Sequence, residues 1–196
     1  MPTPNLIRRL LLAAIVAAAE HAPAATHLWV GPAGGNWSTP ANWVGMAPPT
    51  SGEMGGTVVV FVSGSSSVAN IAGLVVDQIA FTGSGNTINA TTPLTLATGD
   101  TSPTIADANG GNTIADTVSL VLAGSAAGDV EITNSGNGVL TIAADVSGTP
   151  GNKLRLSGNI SLQGTNSYSG VTFVSAGLLT LDSPTVDGAI PGSLSI

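Results

Sequence analysis

The chain carries two histidines, and neither stands where a catalytic base is wanted. His21 falls in an apolar leader, and His27 sits at or beside the N-terminus that removal of that leader creates. A Ser-His-Asp site needs an internal, positioned base, so nucleophilic catalysis of that kind is not expected. Paired carboxylates can hydrolyse glycosides, and the acids beyond the leader are Glu53, Asp77, Asp100, Asp107, Asp116, Asp129, Glu131, Asp145, Asp182 and Asp187. Most lie beside Gly, Ser or Thr, where an aspartate is a turn former. A polysaccharide lyase would also want a basic catalyst, and only Lys153 and Arg155 are available; both read as solubilising one strand face. Cysteine is absent, which excludes disulfides, thiolate nucleophiles and Cys-ligated metals. The oxygen-rich stretch Asp107-Ala108-Asn109-Gly110-Gly111-Asn112 invites a calcium reading, but it has neither the nonapeptide pattern nor EF-hand spacing and is read as a turn. Gly83-Ser84-Gly85-Asn86 and Gly136-Asn137-Gly138 have no following Gly-Lys-Ser/Thr and no helix to bind an anion, so they are corners. The triplets starting at Asn36, Asn89 and Asn159 match the N-glycosylation pattern only as often as chance allows in so much Asn, Ser and Thr. No catalytic, cofactor-binding or metal residue is assigned, and the expectation is that the chain is not an enzyme.

One group keeps a functional reading. Trp29, Trp37 and Trp43 lie close together, and exposed indole faces bind sugars. The competing reading is a cap: an open end of stacked strands must be covered against aggregation, and large rings do that with few residues. The cap is preferred.

The charge balance narrows the partners. The net charge is −7 with four basic residues, two of them, Arg8 and Arg9, in the leader. Lys153 and Arg155 alone make no basic footprint to neutralise phosphates, so no nucleic-acid partner is expected, and the acidity discourages adsorption to anionic membranes. The partner expected is a surface or glycan of unspecified identity. Only 8% of residues are charged while 43% are hydrophobic, a balance opposite to that of disordered chains.

Residues 1–25 read as a signal for general secretion. Arg8 and Arg9 supply the positive region, Leu10 to Ala19 the apolar run, and Ala22-Pro23-Ala24 the small-x-small cleavage site, with Ala25 as an alternative. The apolar run is shorter than the ~20 residues that span a bilayer.

Beyond it the text divides into three zones. Residues 26–54 hold the tryptophans, punctuated by Gly and Asn. Residues 55–150 are a train of short apolar stretches: Val58 to Val62, Leu74 to Val76, Ile79 to Phe81, Leu94 to Leu96, Leu120 to Leu122, Val130 to Ile132 and Leu140 to Ile142. Several alternate strictly, with Val130/Ile132 and Leu140/Ile142 on one side and Glu131 and Thr141 on the other. Period two means strands with one buried face. Residues 151–196 add Leu154/Leu156, Ile160/Leu162 and Leu179/Leu181 between Gly-containing corners. Strands of three to five residues recurring about every 8–12 residues fit a sandwich or a solenoid, and the Gly-rich corners favour the solenoid.

The run from Gly164 to Leu181 resembles the autotransporter-associated β-strand repeat, whose pattern is roughly leucine-x-leucine-x-glycine, asparagine-threonine-tyrosine-x-glycine-glycine-threonine, then valine-x-x-glycine-x-leucine. Leu162, Gly164, Asn166, Tyr168, Gly170, Thr172, Val174, Ala176, Gly177 and Leu179 match it. Val171 stands where the family has a second glycine, and Phe173 and Leu178 replace small polar residues. The tryptophan zone is similar to the openings of such proteins. The resemblance implies a right-handed parallel β-helix passenger, exported and displayed at a bacterial surface, outer-membrane-associated in full-length proteins through a C-terminal β-barrel translocator; no barrel-like pattern occurs here.

The expectation is therefore an all-β chain, a right-handed parallel β-helix with a Trp-rich cap, the alternative fold being a β-sandwich. Tyr168 is expected to pack at a corner, and Val174, Leu179 and Leu181 to face the core. The expected function is a secreted or surface-displayed passenger or stalk supporting adhesion or surface contact. The alternatives are a carbohydrate-binding β-sandwich module and, third, a polysaccharide-degrading β-helix enzyme.

Overall fold

A computed structural model describes residues 23–62, 64–97, 102–124, 129–148, 151–184 and 190–196. The expected leader, up to residue 22, lies outside the described residues, as do Asp100 and Asp187.

The chain winds as a parallel β-solenoid. The first coil holds β1 (Ala25–Trp29) and β2 (Gly35–Asn36), and the second β3 (Thr57–Phe61), β4 (Ser66–Ala69) and β5 (Val75–Val76). The third holds β6 (Gln78–Phe81), β7 (Thr87–Ala90) and β8 (Leu94–Ala97), and the fourth β9 (Thr104–Asp107), β10 (Thr113–Ile114) and β11 (Ser119–Gly124). The fifth holds β12 (Asp129–Asn134), β13 (Leu140–Ile142) and β14 (Asp145–Gly148). Then come β15 (Lys153–Ser157) with β16 (Ile160–Leu162), β17 (Thr172–Ala176) with β18 (Leu179–Leu181), and β19 (Leu194–Ser195). Each strand stacks on its counterpart in the next coil. The result is a sheet of eight strands, β1-β3-β6-β9-β12-β15-β17-β19, one of seven, β2-β4-β7-β10-β13-β16-β18, and one of four, β5-β8-β11-β14. Every pairing between these strands is parallel and, at most positions, in simple register. Facing antiparallel layers, which a sandwich requires, do not occur among these strands.

Register converts the period-two pattern into continuous interior columns. In the eight-stranded sheet one column runs His27, Val59, Ile79, Ile105, Ile132, Leu156, Val174. In the seven-stranded sheet another runs Ile88, Ile114, Ile142, Leu162, Leu181, and in the four-stranded sheet Leu94, Leu120 and Val146 line up. Glu131 and Thr141 point away from this core while Val130, Ile132, Leu140 and Ile142 are buried in it, as the alternation requires. Removing one such Leu or Ile from water is worth about 1.5–3 kcal/mol, and β-branched residues suit the pleated stack.

The corners are held by glycine where two coils touch. Gly158 has φ 95°, and a Cβ there would lie 1.8 Å from Asn134 O; Gly177 repeats the arrangement one coil on, with φ 88° and a Cβ 2.3 Å from Gly158 O. No larger residue fits such a stacked corner.

Candidate functional site: the tryptophan cap

The three tryptophans that sequence reading singled out converge on the first coil. Trp29 ends β1, Trp37 follows β2, and Trp43 lies between two short 3-10 turns, Pro40–Asn42 and Val44–Met46. These turns fold the chain back over the coil, so that Trp29 and Trp43 form an antiparallel bridge. The rings meet edge to face: Trp29 and Trp43 at 5.0 Å between centroids and 79°, Trp37 and Trp43 at 5.7 Å and 84°. Phe61 lies beneath, 6.2 Å from Trp29 and 5.9 Å from Trp37, and Phe81 continues the stack 5.5 Å further on. Edge-to-face pairs at these separations are the favourable aromatic geometry.

Each indole N–H is used internally. Trp29 Nε1 donates to Ser65 Oγ at 3.1 Å, Trp37 Nε1 to Ser67 Oγ at 3.0 Å, and Trp43 Nε1 to the Trp37 carbonyl at 2.6 Å. Exposure is 2% for Trp29, 0% for Trp37 and 2% for Trp43. A sugar platform needs an open ring face with a free edge, and none of the three has one; they form a buried lid, in line with the cap that sequence reading preferred over the platform. Gly31 makes the closure possible: a Cβ there would stand 2.6 Å from the Trp29 ring and 2.7 Å from Asn42 Cγ. Asn42 itself is buried, its side-chain Nδ2 donating to Asn36 O at 2.9 Å and its backbone carbonyl accepting from Val30 N at 2.9 Å.

A second component was not legible in the sequence. His27 is buried, with Nδ1 2.9 Å from Ala47 O and Nε2 2.9 Å from Glu53 Oε2. Both ring nitrogens thus face an oxygen that can accept a hydrogen bond. Glu53 Oε1 accepts from Thr50 Oγ1 at 2.8 Å. Burial pushes the Glu53 carboxyl up, but the hydrogen bonds from His27 and Thr50 and the His27 charge outweigh it and hold the group below its ordinary value. His27 and Glu53 are 26 positions apart, and the stretch between them carries no local pattern that could have announced the pair. With both nitrogens engaged, the ring is not aimed at a nucleophile.

The other acids are dispersed along the stack. Asp77 Oδ2 accepts from Thr57 N at 2.6 Å, and Asp145 Oδ1 from Thr165 N at 2.7 Å. Asp129 accepts from Arg155 Nε at 2.7 Å, with Lys153 Nζ at 3.9 Å, and Arg155 also lies over the Phe173 ring at 5.1 Å. A shallow groove of about 440 Å³ beside β10 and β13 is lined by Asp116, Asp145, Gln163 and Thr165 among others; Asp145 opens β14 there and ties it to the next coil through Thr165 N. Among the described residues no group of three or more His, Cys, Asp or Glu stands close enough to hold a metal ion.

The repeat-like segment is anchored inside the stack by Tyr168. Its ring is buried, its hydroxyl lies 2.8 Å from Thr172 Oγ1, and burial raises its titration above the ordinary phenol value despite that hydrogen bond. Asn166 Oδ1 accepts from Val146 N at 3.0 Å and Ser167 N donates to Val146 O at 2.8 Å, so this segment runs along β14 without being a strand. Val174 and Leu179 pack against the core, half-buried. Leu181 differs: it stands in the Leu162 column but is 46% exposed, because among the described residues no further strand lies on β18. Comparison of the chain with protein-family models, with curated proteins and with solved structures finds no match.

Proposed function

We propose that the chain is a non-enzymatic segment of an exported passenger or stalk, displayed at a bacterial surface and presenting its corners for adhesion or contact. The observation that carries this reading is the coil-on-coil register from β1 to β19, which makes length the natural product of the sequence, together with a lid on its first coil. The resemblance of Gly164 to Leu181 to the autotransporter-associated repeat supplies the surface context. The polar groups that chemistry would need are spent on architecture: Glu53 on His27, Asp77 on Thr57 N, Asp145 on Thr165 N, Asp129 on Arg155. Ala25 already pairs in β1, its N–H donating to Gly56 O at 2.8 Å, which supports cleavage after Ala24 over cleavage after Ala25.

The test is export. The full chain, expressed in a Gram-negative host, is expected outside the cytoplasm with a mature N-terminus at Ala25, read by intact-mass and N-terminal analysis. A cytoplasmic chain retaining residues 1–24 overturns the reading. Turnover of a polysaccharide panel, abolished by a single Asp→Asn change, overturns the non-enzymatic part.

A further inference from the structure

The aromatic column under the cap ends in a carboxylate. Register continues Trp29, Phe61 and Phe81 into Asp107 of β9 and then Asn134 of β12. Asp107 is 1% exposed. Its Oδ1 is fully served, accepting from Asn109 N at 3.1 Å, Gly110 N at 2.7 Å and Asn112 Nδ2 at 2.8 Å. Its Oδ2 is equally buried and meets no donor. Asn112 joins Asp107 to Asn86: its Oδ1 accepts from the Asn86 amide at 2.9 Å and from Asn86 N at 2.8 Å. Asn86 is also 1% exposed, and its own Oδ1 is bare as well.

The next coil shows how the same position is filled when the side chain is an amide. Asn134 stands beside Asp107 in register, and its Oδ1 accepts from Gly136 N at 2.9 Å, the turn role that Asp107 Oδ1 plays. Where Asp107 has Oδ2, Asn134 has a donor, and that Nδ2 gives hydrogen bonds to Gly138 O at 2.8 Å and Asn159 O at 2.7 Å. A backbone corner that takes an NH₂ in one coil therefore holds an oxygen in the coil before it. A buried acceptor without a donor costs about 1–3 kcal/mol, and more when charged, and a buried charge is normally paired or bound to a metal ion. The basic side chains among the described residues are engaged elsewhere, His27 with Glu53 and Lys153 and Arg155 with Asp129.

We propose that Asp107 Oδ2, in the corner shared with Asn86 and Asn112, binds a hard monovalent cation of the sodium or potassium class. The two bare atoms of this network, Asp107 Oδ2 and Asn86 Oδ1, are both oxygen, which suits a hard ion. One carboxylate balances one positive charge, whereas a divalent ion would leave a net charge buried at low dielectric. The turn read from Asp107 to Asn112 is real, and the cation occupies the side of the carboxylate that the turn leaves unused.

The test is thermal unfolding of the purified chain in sodium, potassium and tetramethylammonium chloride at equal ionic strength, the last ion being too large to enter. Sodium or potassium at about ten times its dissociation constant is expected to raise the midpoint by about 3–6 °C over tetramethylammonium. Asp107→Asn should abolish the difference, and the exposed control Asp116→Asn should keep it. Identical midpoints in all three salts, with Asp107→Asn more stable than the parent, overturn the proposal and leave a water or a proton at the bare oxygen. A salt difference that survives Asp107→Asn overturns it too. Should Asp107→Asn fail to fold, sodium-NMR line broadening by the parent that disappears on unfolding supports the site, and its absence overturns it.

Discussion

The two ends of the stack are built from the same strands and finished differently. At the first coil, β1 and β2 supply little apolar area, yet the columns beneath are sealed by Trp29, Trp37 and Trp43, all buried. At the other end, β17, β18 and β19 continue the same register, but Leu181, Leu194 and Ile196 are exposed. The difference lies in a segment that leaves the strand plane: the 3-10 turns from Pro40 to Met46 carry Trp43 back over the coil. Register makes a solenoid grow, and a departure from register closes it. A column ending in open Leu side chains is a surface onto which a further coil can stack.

Removing the lid has the largest expected effect. Trp43→Ala deletes the ring that touches both other tryptophans and should destabilise by about 3–5 kcal/mol, measured by denaturant unfolding at unchanged m-value. The loss should be accompanied by exposure of Trp29 and Trp37 to a soluble quencher. A loss below about 1 kcal/mol would show that the cap is ornamental.

A paired substitution sharpens the contrast within one column. Leu162 and Leu181 are adjacent in register, at 1% and 46% exposure. Leu162→Ala should cost about 2–5 kcal/mol and Leu181→Ala under about 1 kcal/mol. Equal losses would mean that something covers β18 in solution.

How much of this was readable in advance depended on side-chain pattern. Strands whose two inward residues are both large, such as Val130/Ile132, Leu140/Ile142 and Leu154/Leu156, announce themselves by alternation. The strands β4, β7, β9, β10 and β14 are Ser-, Thr-, Asn- or Ala-rich, and several carry one large inward residue, such as Ile88, Ile105, Ile114 or Val146. A single apolar residue has no period, so these strands come from pairing with their neighbours rather than from their own text. The tryptophans were legible as a group and as a cap, because three large rings near Gly and Asn have few uses. Their acceptors Ser65 and Ser67, the His27–Glu53 pair and the burial of Asp107 were not, since each depends on which residues successive coils bring into register.

Those acceptors give a smaller test of the lid. Ser67 is buried and takes the Trp37 indole N–H. Ser67→Ala leaves that donor enclosed without a partner, at an expected cost of about 1–3 kcal/mol. Ser175→Ala, at the other end, removes a hydroxyl that donates to Leu156 O at 3.1 Å from an exposed position. Water can replace that partner, so the unfolding midpoint should move less than in Ser67→Ala. The reverse order would mean that the indole finds another acceptor inside the cap.

The smallest effect expected is also the one specific to the first coil, because its column begins with His27 whereas the columns at the far end finish in Val174, Leu179 and Leu181. Burial raises the Glu53 carboxyl, but its hydrogen bonds to His27 and Thr50 and the His27 charge leave the folded value below the unfolded one. A group depressed in this way stabilises the fold fully above its unfolded value, and the contribution fades as pH falls through the folded value. Lowering pH below the ordinary carboxylate range should thus protonate Glu53, take away the acceptor of His27 Nε2 and loosen the loop that holds Ala47 over the ring. Glu53→Gln removes that titration, so its unfolding midpoint should fall less steeply with acid than the parent's, while the two differ by a constant amount near neutrality. Superimposable acid limbs would show that the His27–Glu53 contact does not latch the cap.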